Sequence, residues 1–283
     1  MENPYSTTTL ESTAKNDKDS TVRDPRPVSF HSTAIISPKA QVDPSCIIGP
    51  YCVIGPEVNL APGNELISHV TLQGPSTIGP NNTFHPYASV GSRTQDLKYR
   101  GEPTYLEIGE GNTFRESCTI NRGTGAGEKT IIGNHNHFLA YAHVAHNCQV
   151  GDHCVFSNNG TLAGHVIVGD YAVIGGLSAV HQFCRVGEHA MIGGCAKIVQ
   201  DVPPFLVADG NPADIRAVNI VGLQRRGYTE EVIRDLKAAH KTLYNRELNT
   251  SQALEELERE LSHVKEVHHL VEFVRNSQRG VIR

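Results

Sequence analysis

The chain has 283 residues, and no stretch of it holds the roughly 18 consecutive apolar residues that a membrane-spanning helix needs. A bilayer span is not expected. Cations are not in excess either: 25 Lys and Arg stand against 30 Asp and Glu, for a net charge of −5. Without a basic field, nucleic acid is not the default partner. The seven cysteines include no CxxC pair, which a metal knuckle needs, and no oxidising compartment is indicated for a disulfide framework. The N-terminus lacks the apolar segment of a secretory signal. Residues 1–27 are polar, rich in Ser and Thr, and carry Glu2, Glu11, Asp17, Asp19 and Asp24, which an organellar transit peptide would avoid. So little apolar surface cannot offset the entropy of ordering, so a disordered extension over residues 1–30 and a cytoplasmic address are expected.

What fills the chain is a repeat of six. From Ile36 to Ile198 every sixth position makes 28 slots, and 25 of them hold Ile, Val, Leu or Phe; the exceptions are Asp96, Glu102 and Ala126. Gly follows in 11 of those 25 repeats, as at Gly49, Gly55, Gly79, Gly151 and Gly187, which suits a backbone that turns after every short strand. Such hexads predict a parallel β-helix over residues 31–203. Three hexads make one triangular coil, and about nine coils stack at about 4.8 Å, the usual strand spacing. The exceptions fall in SRTQDLKYRGEP (92–103) and RGTGAGEK (122–129), which keep the phase of six and read as loops projecting from the prism. Projecting loops usually carry function. Cys46, Cys52, Cys118, Cys148, Cys154 and Cys184 all lie two places before an aliphatic slot and read as small buried fillers.

From about residue 204 the period becomes helical, with Val232, Leu236, Ala239 and Leu243, then Leu254, Leu257 and Leu261, and with Thr229 and Thr250 as candidate caps. A helical domain over 204–283 is expected to cover the last open sheet edge. The fold class is thus mainly β, a hexapeptide-repeat β-helix followed by helices.

Stacking in coils of three hexads places His146, Gly164 and Gln182 one above another, with Asn147, His165 and Phe183 in the neighbouring column. Eight of the 15 histidines lie between residues 135 and 189. A single one, such as His69, His153 or His189, reads as decoration of a corner. The column is different, because an imidazole beside a glycine N–H supplies a base for a hydroxyl and a donor for a developing oxyanion, which is what acyl transfer requires.

The segments AHVAHNC, LAGHVIVGD, AVHQF, TQDLKYRGEPT, GGC at 193–195, NIVGLQRRG and the terminal RGVIR together resemble the UDP-N-acetylglucosamine 3-O-acyltransferase family, over residues 31–283 and in order. The resemblance implies a homotrimer of left-handed β-helices with sites between subunits. It also implies transfer of a (3-hydroxy)acyl chain from acyl carrier protein to a UDP-sugar, the first step of lipid A synthesis. No metal and no cofactor are implied beyond the carrier's phosphopantetheine. By position, His146 resembles the general base and Gly164 the oxyanion donor. Asp96 and Lys98 resemble sugar contacts, and His143 and His165 line the same pocket. His181 and Gln182 resemble contacts near the diphosphate and the donor. Asn219, Arg225 and Arg226 resemble nucleotide and phosphate contacts; adjacent arginines also offer bidentate forks for a diphosphate. Gly194, stacked one coil beyond Gly176, resembles the residue that limits acyl-chain length. Three positions depart from the pattern: Asn147 where many members carry Asp, Val221 where an acidic residue is often found, and Pro212 where a histidine can occur. Two other classes compete with this reading. One is a zinc hydratase with histidines shared between subunits, against which the long helical tail and the QDLKYRGEPT loop argue. The other is a non-enzymatic scaffold, which would not need a glycine above a histidine.

Overall fold

Short strands that end on the aliphatic slot recur along the chain, from Ile35–Ile36 to Lys197–Ile198. They form three sheets of nine, eight and ten strands, parallel throughout except for one final hairpin. These sheets are the faces of the prism. Partners lie three hexads apart where coils are regular, as in Ile35↔Val53 and Val155↔Val173. Ser89 instead pairs with Thr119, five hexads on, and Thr119 with His143, four hexads on. The two loops are therefore insertions of whole hexads, and the register survives them. The computed structural model describes residues 29–245 and 247–283. The expected disordered extension lies outside the described residues except for its last two, Ser29 and Phe30. Both are paired with Ile48, so the first coil starts earlier than its hydrophobic slot announces.

Inside the prism the side chains of equivalent hexads stack. Phe84, Phe114, Phe138 and Phe156 form a continuous column with ring centroids 4.6 to 5.0 Å apart. Beside it runs a ladder of fully buried asparagines, which the hexad count alone treats as filler. Asn82 Nδ2 donates to Asn64 Oδ1 (3.1 Å), Asn112 Nδ2 donates to Asn82 Oδ1 (2.9 Å), and Asn112 Oδ1 accepts the backbone N–H of Asn136 (2.8 Å). The amides satisfy carbonyl and N–H groups that the turns between strands would otherwise leave unpaired. All six slot cysteines are buried and unpaired, while Cys195 is exposed.

The corners correct one expectation. In the regular coils the residue after the aliphatic slot is not the one that turns: none of Gly49, Gly55, Gly79, Gly151 and Gly187 has positive φ, whereas Gly91, where the first loop leaves the prism, has φ 82°. Gly is required there because coils approach closely; a Cβ on Gly79 would stand 2.6 Å from the carbonyl oxygen of Gly109. The left-handed residue comes two places later and is usually large, as at Tyr51 (φ 58°), Asn147 (63°), His165 (62°) and Tyr171 (59°). Side chains at these residues project outward and stack from coil to coil.

Residues 204–218 are not helical. A hairpin, Leu206–Gly210 and Ala213–Val218, extends the ten-stranded sheet through Met191↔Val207 and turns back antiparallel. Backbone pairing closes that sheet more directly than a helix face would, and the helices start beyond it: α1 (Ile220–Arg225), α2 (Glu230–Leu243), α3 (Thr250–Leu261) and α4 (Lys265–Arg275). Thr229 caps α2 as expected, but α3 is capped by Asn249 in a reciprocal pair with Gln252, so Thr250 is its first helical residue. In α2 the inward face is Ile233, Leu236, Ala239 and Leu243, with Val232 at its margin. These helices build a second core against Phe205, Leu206 and Val218. Among the described residues no helix is long and apolar enough to cross a membrane.

Deleting a link of either internal column is expected to loosen the prism. Phe114→Ala should cost about 3–5 kcal/mol by chemical denaturation, the usual range for a buried Phe. Asn112→Ala should cost about 1–3 kcal/mol by leaving its Asn82 and Asn136 partners without it. An Asn112→Ala variant as stable as the parent would mean that the ladder is dispensable.

Candidate active site

Each corner of the prism carries its own column, held by backbone bonds between successive coils. On the first corner His165 N–H donates to the His146 carbonyl and Phe183 N–H to that of Gly164. The expected stack of His146, Gly164 and Gln182 is therefore present. At Gly164 no backbone donation from its N–H is found among the described residues. That is a property of the slot, since Pro50, Pro56, Pro62, Pro80 and Pro86 occupy equivalent places in earlier coils and have no N–H to give. What distinguishes Gly164 is the ring beside it. A Cβ there would stand 2.5 Å from both Nε2 and Cε1 of His146, so any side chain would push the imidazole away from the free N–H.

His146 is held on its Nδ1 side and faces a carboxylate across its Nε2 side. Its Nδ1 lies 2.8 Å from Asn147 Oδ1, and its Nε2 lies 4.0 Å from Asp96 Oδ2 on the first loop. Asn147 Oδ1 also accepts the backbone N–H of Thr124, on the second loop, at 3.1 Å. An oxygen facing Nδ1 accepts from an N–H there, and in the neutral ring that tautomer leaves the lone pair on Nε2. Asp96 is fixed by its own loop, where its Oδ1 accepts the Lys98 N–H and its N–H donates to Thr94 Oγ1. Thr124 Oγ1 in turn bonds Thr94 Oγ1 at 2.8 Å, tying the two loops together beside the ring.

The other expected residues of this cluster surround His146. His165 meets His146 edge-on with centroids 5.2 Å apart and stacks on Phe183 at 4.7 Å. His143 stands on the neighbouring strand with Nδ1 2.7 Å from Thr119 Oγ1. Burial, and then the repulsion that a second proton would meet from the neighbouring His146 ring, hold both His143 and His165 below the usual histidine value of 6.5. His181 and Gln182 are exposed one coil above Gly164, and the Lys98 side chain is exposed on the loop. A cavity of 510 Å³ opens beside His165 and Phe183, between this corner and the C-terminal segment, with Arg185 and Arg279 in its wall.

Not everything converges on this corner. Asn219 is 7% exposed and caps α1: its side chain accepts from Gly222 N–H and donates to the His189 carbonyl at 2.9 Å. Arg225 is exposed, and the guanidinium of Arg226 lies over the Tyr171 ring at 4.4 Å. Tyr171 belongs to the second corner, in the stack His135, His153, Tyr171 and His189. Gly194 belongs to the third corner, where Cys195 N–H donates to the Gly176 carbonyl. Neither Gly176 nor Gly194 has positive φ, and a Cβ on Gly194 would meet only the Gly176 oxygen, at 3.5 Å, so no turn demands glycine there. Thr94, Thr119, Thr124 and Glu128 also stand around the His146 cluster, and nothing in the hexad pattern marks them. The break in the pattern points to the second loop, but a register count gives no signal for which of its residues fold back toward His146.

An imidazole packed against a glycine with an unengaged backbone N–H, on a prism of hexad coils, fits the class of hexapeptide-repeat acyltransferases. Known proteins narrow the class. Residues 129–164 match the bacterial transferase hexapeptide family (six repeats), and residues 201–282 match the second domain of UDP-N-acetylglucosamine O-acyltransferase. The acyl-(acyl-carrier-protein)–UDP-N-acetylglucosamine O-acyltransferase of Thermodesulfovibrio yellowstonii is 47% identical over 255 residues, which are 90% of this chain and 99% of that protein. The crystal structure of UDP-N-acetylglucosamine O-acyltransferase from Moraxella catarrhalis superposes with a TM-score of 0.87 at 41% identity, covering 90% of this chain and all of that one. The Arabidopsis UDP-N-acetylglucosamine acyltransferase does so with a TM-score of 0.80 at 33% identity, over 90% of this chain and 100% of its own. This chain belongs to the UDP-N-acetylglucosamine O-acyltransferase family of enzymes, and its β-helix is left-handed, an exception to the usual right-handed crossover.

Half-buried histidines whose protonation the fold disfavours should make it sensitive to mild acid. The unfolded chain takes up protons near pH 6.5 while His143, His165 and His240 stay neutral in the folded state. Their contribution is therefore whole above about pH 6.5 and declines as pH falls below it. The thermal midpoint should drop between about pH 7.5 and about pH 5.5, and less steeply in His143→Gln; a flat midpoint across that window would contradict the assignment.

Proposed function

We propose that this enzyme moves a (3-hydroxy)acyl chain from acyl carrier protein to the 3-hydroxyl of UDP-N-acetylglucosamine, the first step of lipid A biosynthesis, with His146 as general base. The observation that carries the reading is the His146 ring pressed against Gly164, with Nδ1 occupied by Asn147 and Nε2 open on the side of Asp96. The 3-hydroxyl oxygen attacks the thioester carbonyl carbon as Nε2 takes its proton. The carbonyl oxygen becomes an oxyanion facing Gly164 N–H, a donor already in place before charge develops. Collapse breaks the carbon–sulfur bond, and the imidazolium returns the proton to the departing phosphopantetheine thiolate. The proton balance closes on one residue. No metal or dissociable cofactor enters these steps.

Asp96 and Lys98 orient the sugar, with His143 and His165 as the walls of its pocket. His181 and Gln182 stand near the diphosphate and the donor, while Asn219, Arg225 and Arg226 serve the nucleotide and its phosphates. Asn219 does so by setting α1 and its arginines, since its own side chain is engaged as a cap. These groups occupy different corners of one prism, and Gly194 occupies the third. Corners that cannot meet within a chain can meet between chains, so a homotrimer with clefts between subunits is the assembly that the reading requires, acting in the cytoplasm. A second wall also excludes water from the thioester.

Incubation with UDP-N-acetylglucosamine and a 3-hydroxyacyl carrier protein should give, by mass spectrometry, an acylated UDP-sugar. His146→Ala should lower kcat/KM by about 10³ or more without loss of the thermal midpoint, and His143→Ala should cost less; a His146→Ala variant with a tenth of the activity would overturn the assignment. Light scattering should report a trimer, and an active monomer would remove the intersubunit site. Gly194→Met should move donor preference toward shorter chains by an order of magnitude or more, since each displaced methylene forfeits about 0.8 kcal/mol of burial. An unchanged ranking of donors in a folded variant would show that this lane does not measure the chain.

A further inference from the structure

The base has an amide, not a carboxylate, as its immediate neighbour. An amide can orient an imidazole, yet it supplies no charge against the imidazolium that forms when the hydroxyl proton arrives. A carboxylate stands one side chain further out. Asn147 Nδ2 donates to Glu128 Oε2 at 2.7 Å, and the same oxygen accepts the Gly125 backbone N–H at 2.8 Å. With Thr124 N–H on Oδ1 and Glu128 on Nδ2, both ends of the Asn147 amide are specified: a backbone N–H can only donate, and a carboxylate can only accept. The amide cannot flip without breaking both. Lys129, the next residue, is committed to Glu107 at 2.9 Å and does not neutralise Glu128.

We propose that Glu128 is a positioning residue for the acyl-transfer base, the acidic end of a Glu128–Asn147–His146 chain that fixes the Nδ1–H tautomer and places a negative charge near the imidazolium. This rests on the reading of His146 as general base. Glu128 touches no substrate; it acts through Asn147. The charged and titratable groups around the pair are few. His146 faces Asp96 on its Nε2 side and His143 and His165 beside it, while Glu128 faces Asn147 and lies within the field of His165 and His146. The Glu128 carboxyl is held below the usual range first by the Gly125 N–H and then by Asn147, so it is ionised when the base works. The arrangement also gives a reason for Asn at 147. An aspartate there would set two carboxylates against each other at hydrogen-bond distance, which only a shared proton would relieve.

The test is a swap. Glu128→Gln preserves an acceptor for Asn147 but removes the charge, and Glu128 is exposed, so the variant should fold with an unchanged thermal midpoint. Its kcat/KM should fall about 10- to 100-fold, as for loss of a group that orients a functional histidine. The acidic limb of its pH profile should move to lower pH by a few tenths, because losing a nearby negative charge makes the imidazolium easier to deprotonate. Asn147→Asp alone should also be impaired. The double variant Asn147→Asp/Glu128→Gln, with one carboxylate restored next to the base, should recover most of the parent's kcat/KM. A Glu128→Gln limb at the parental pH, or a double variant no better than Asn147→Asp, would overturn the proposal. Measuring His146→Ala in parallel separates the two readings: an inactive His146→Ala beside a fully active Glu128→Gln sinks only the chain, whereas an active His146→Ala sinks the base itself.

Discussion

The hydrogen-bond ladder between successive coils is the constraint on which the rest depends. Because each strand is paired at a fixed offset of whole hexads, every side chain lies above its equivalent in the coil below, and a choice made at one position becomes part of a column. Inside, this stacks Phe on Phe and Asn on Asn. Outside, it stacks His146 on Gly164 and His165 on Phe183. Both columns follow from the same geometry, with chemistry decided by which way the side chain points.

The ladder also explains how loops are tolerated. An insertion that is a multiple of six leaves the aliphatic slots in phase, so the loops at 92–103 and 122–129 leave the prism and return to it without disturbing the coils above. Both lie on the coils just below His146, and each delivers a carboxylate to the same imidazole: Asp96 toward Nε2, Glu128 behind Nδ1 through Asn147. The rigid prism contributes the His146 imidazole and the free Gly164 N–H, and the irregular loops contribute charge. A side chain on a regular element with support from loops is more precisely placed than one carried by a loop alone.

Closing the stack is a separate problem with a separate solution. The last coil would expose unpaired strand edges, and the hairpin Leu206–Val218 pairs with one of them directly. The helices then pack on the hairpin rather than on the coils, which is why they form a second core. The extreme C-terminus returns to the prism: Val281 bridges Asp201, and Asp201 accepts from Arg185 N–H and Ser277 Oγ, so the end of the chain is fastened beside the cavity next to His165.

What the sequence determined by itself was everything that depends on period. The hexads, the phase-keeping loops, the buried cysteines and the column of His146, Gly164 and Gln182 all follow from counting in sixes and, outside the two loops, in eighteens, because there the ladder converts sequence offset directly into spatial position. Tertiary structure decided what period cannot encode. It assigned the left-handed corner to Asn147 and His165 instead of to the glycines, since close approach of coils and reversal of the backbone are demands on different residues. It made a hairpin of residues 206–218, where strand and helix signals compete and edge pairing wins. It also chose Thr124 and Glu128 as the partners of Asn147, because a loop outside the ladder finds its place only through the side chains it meets.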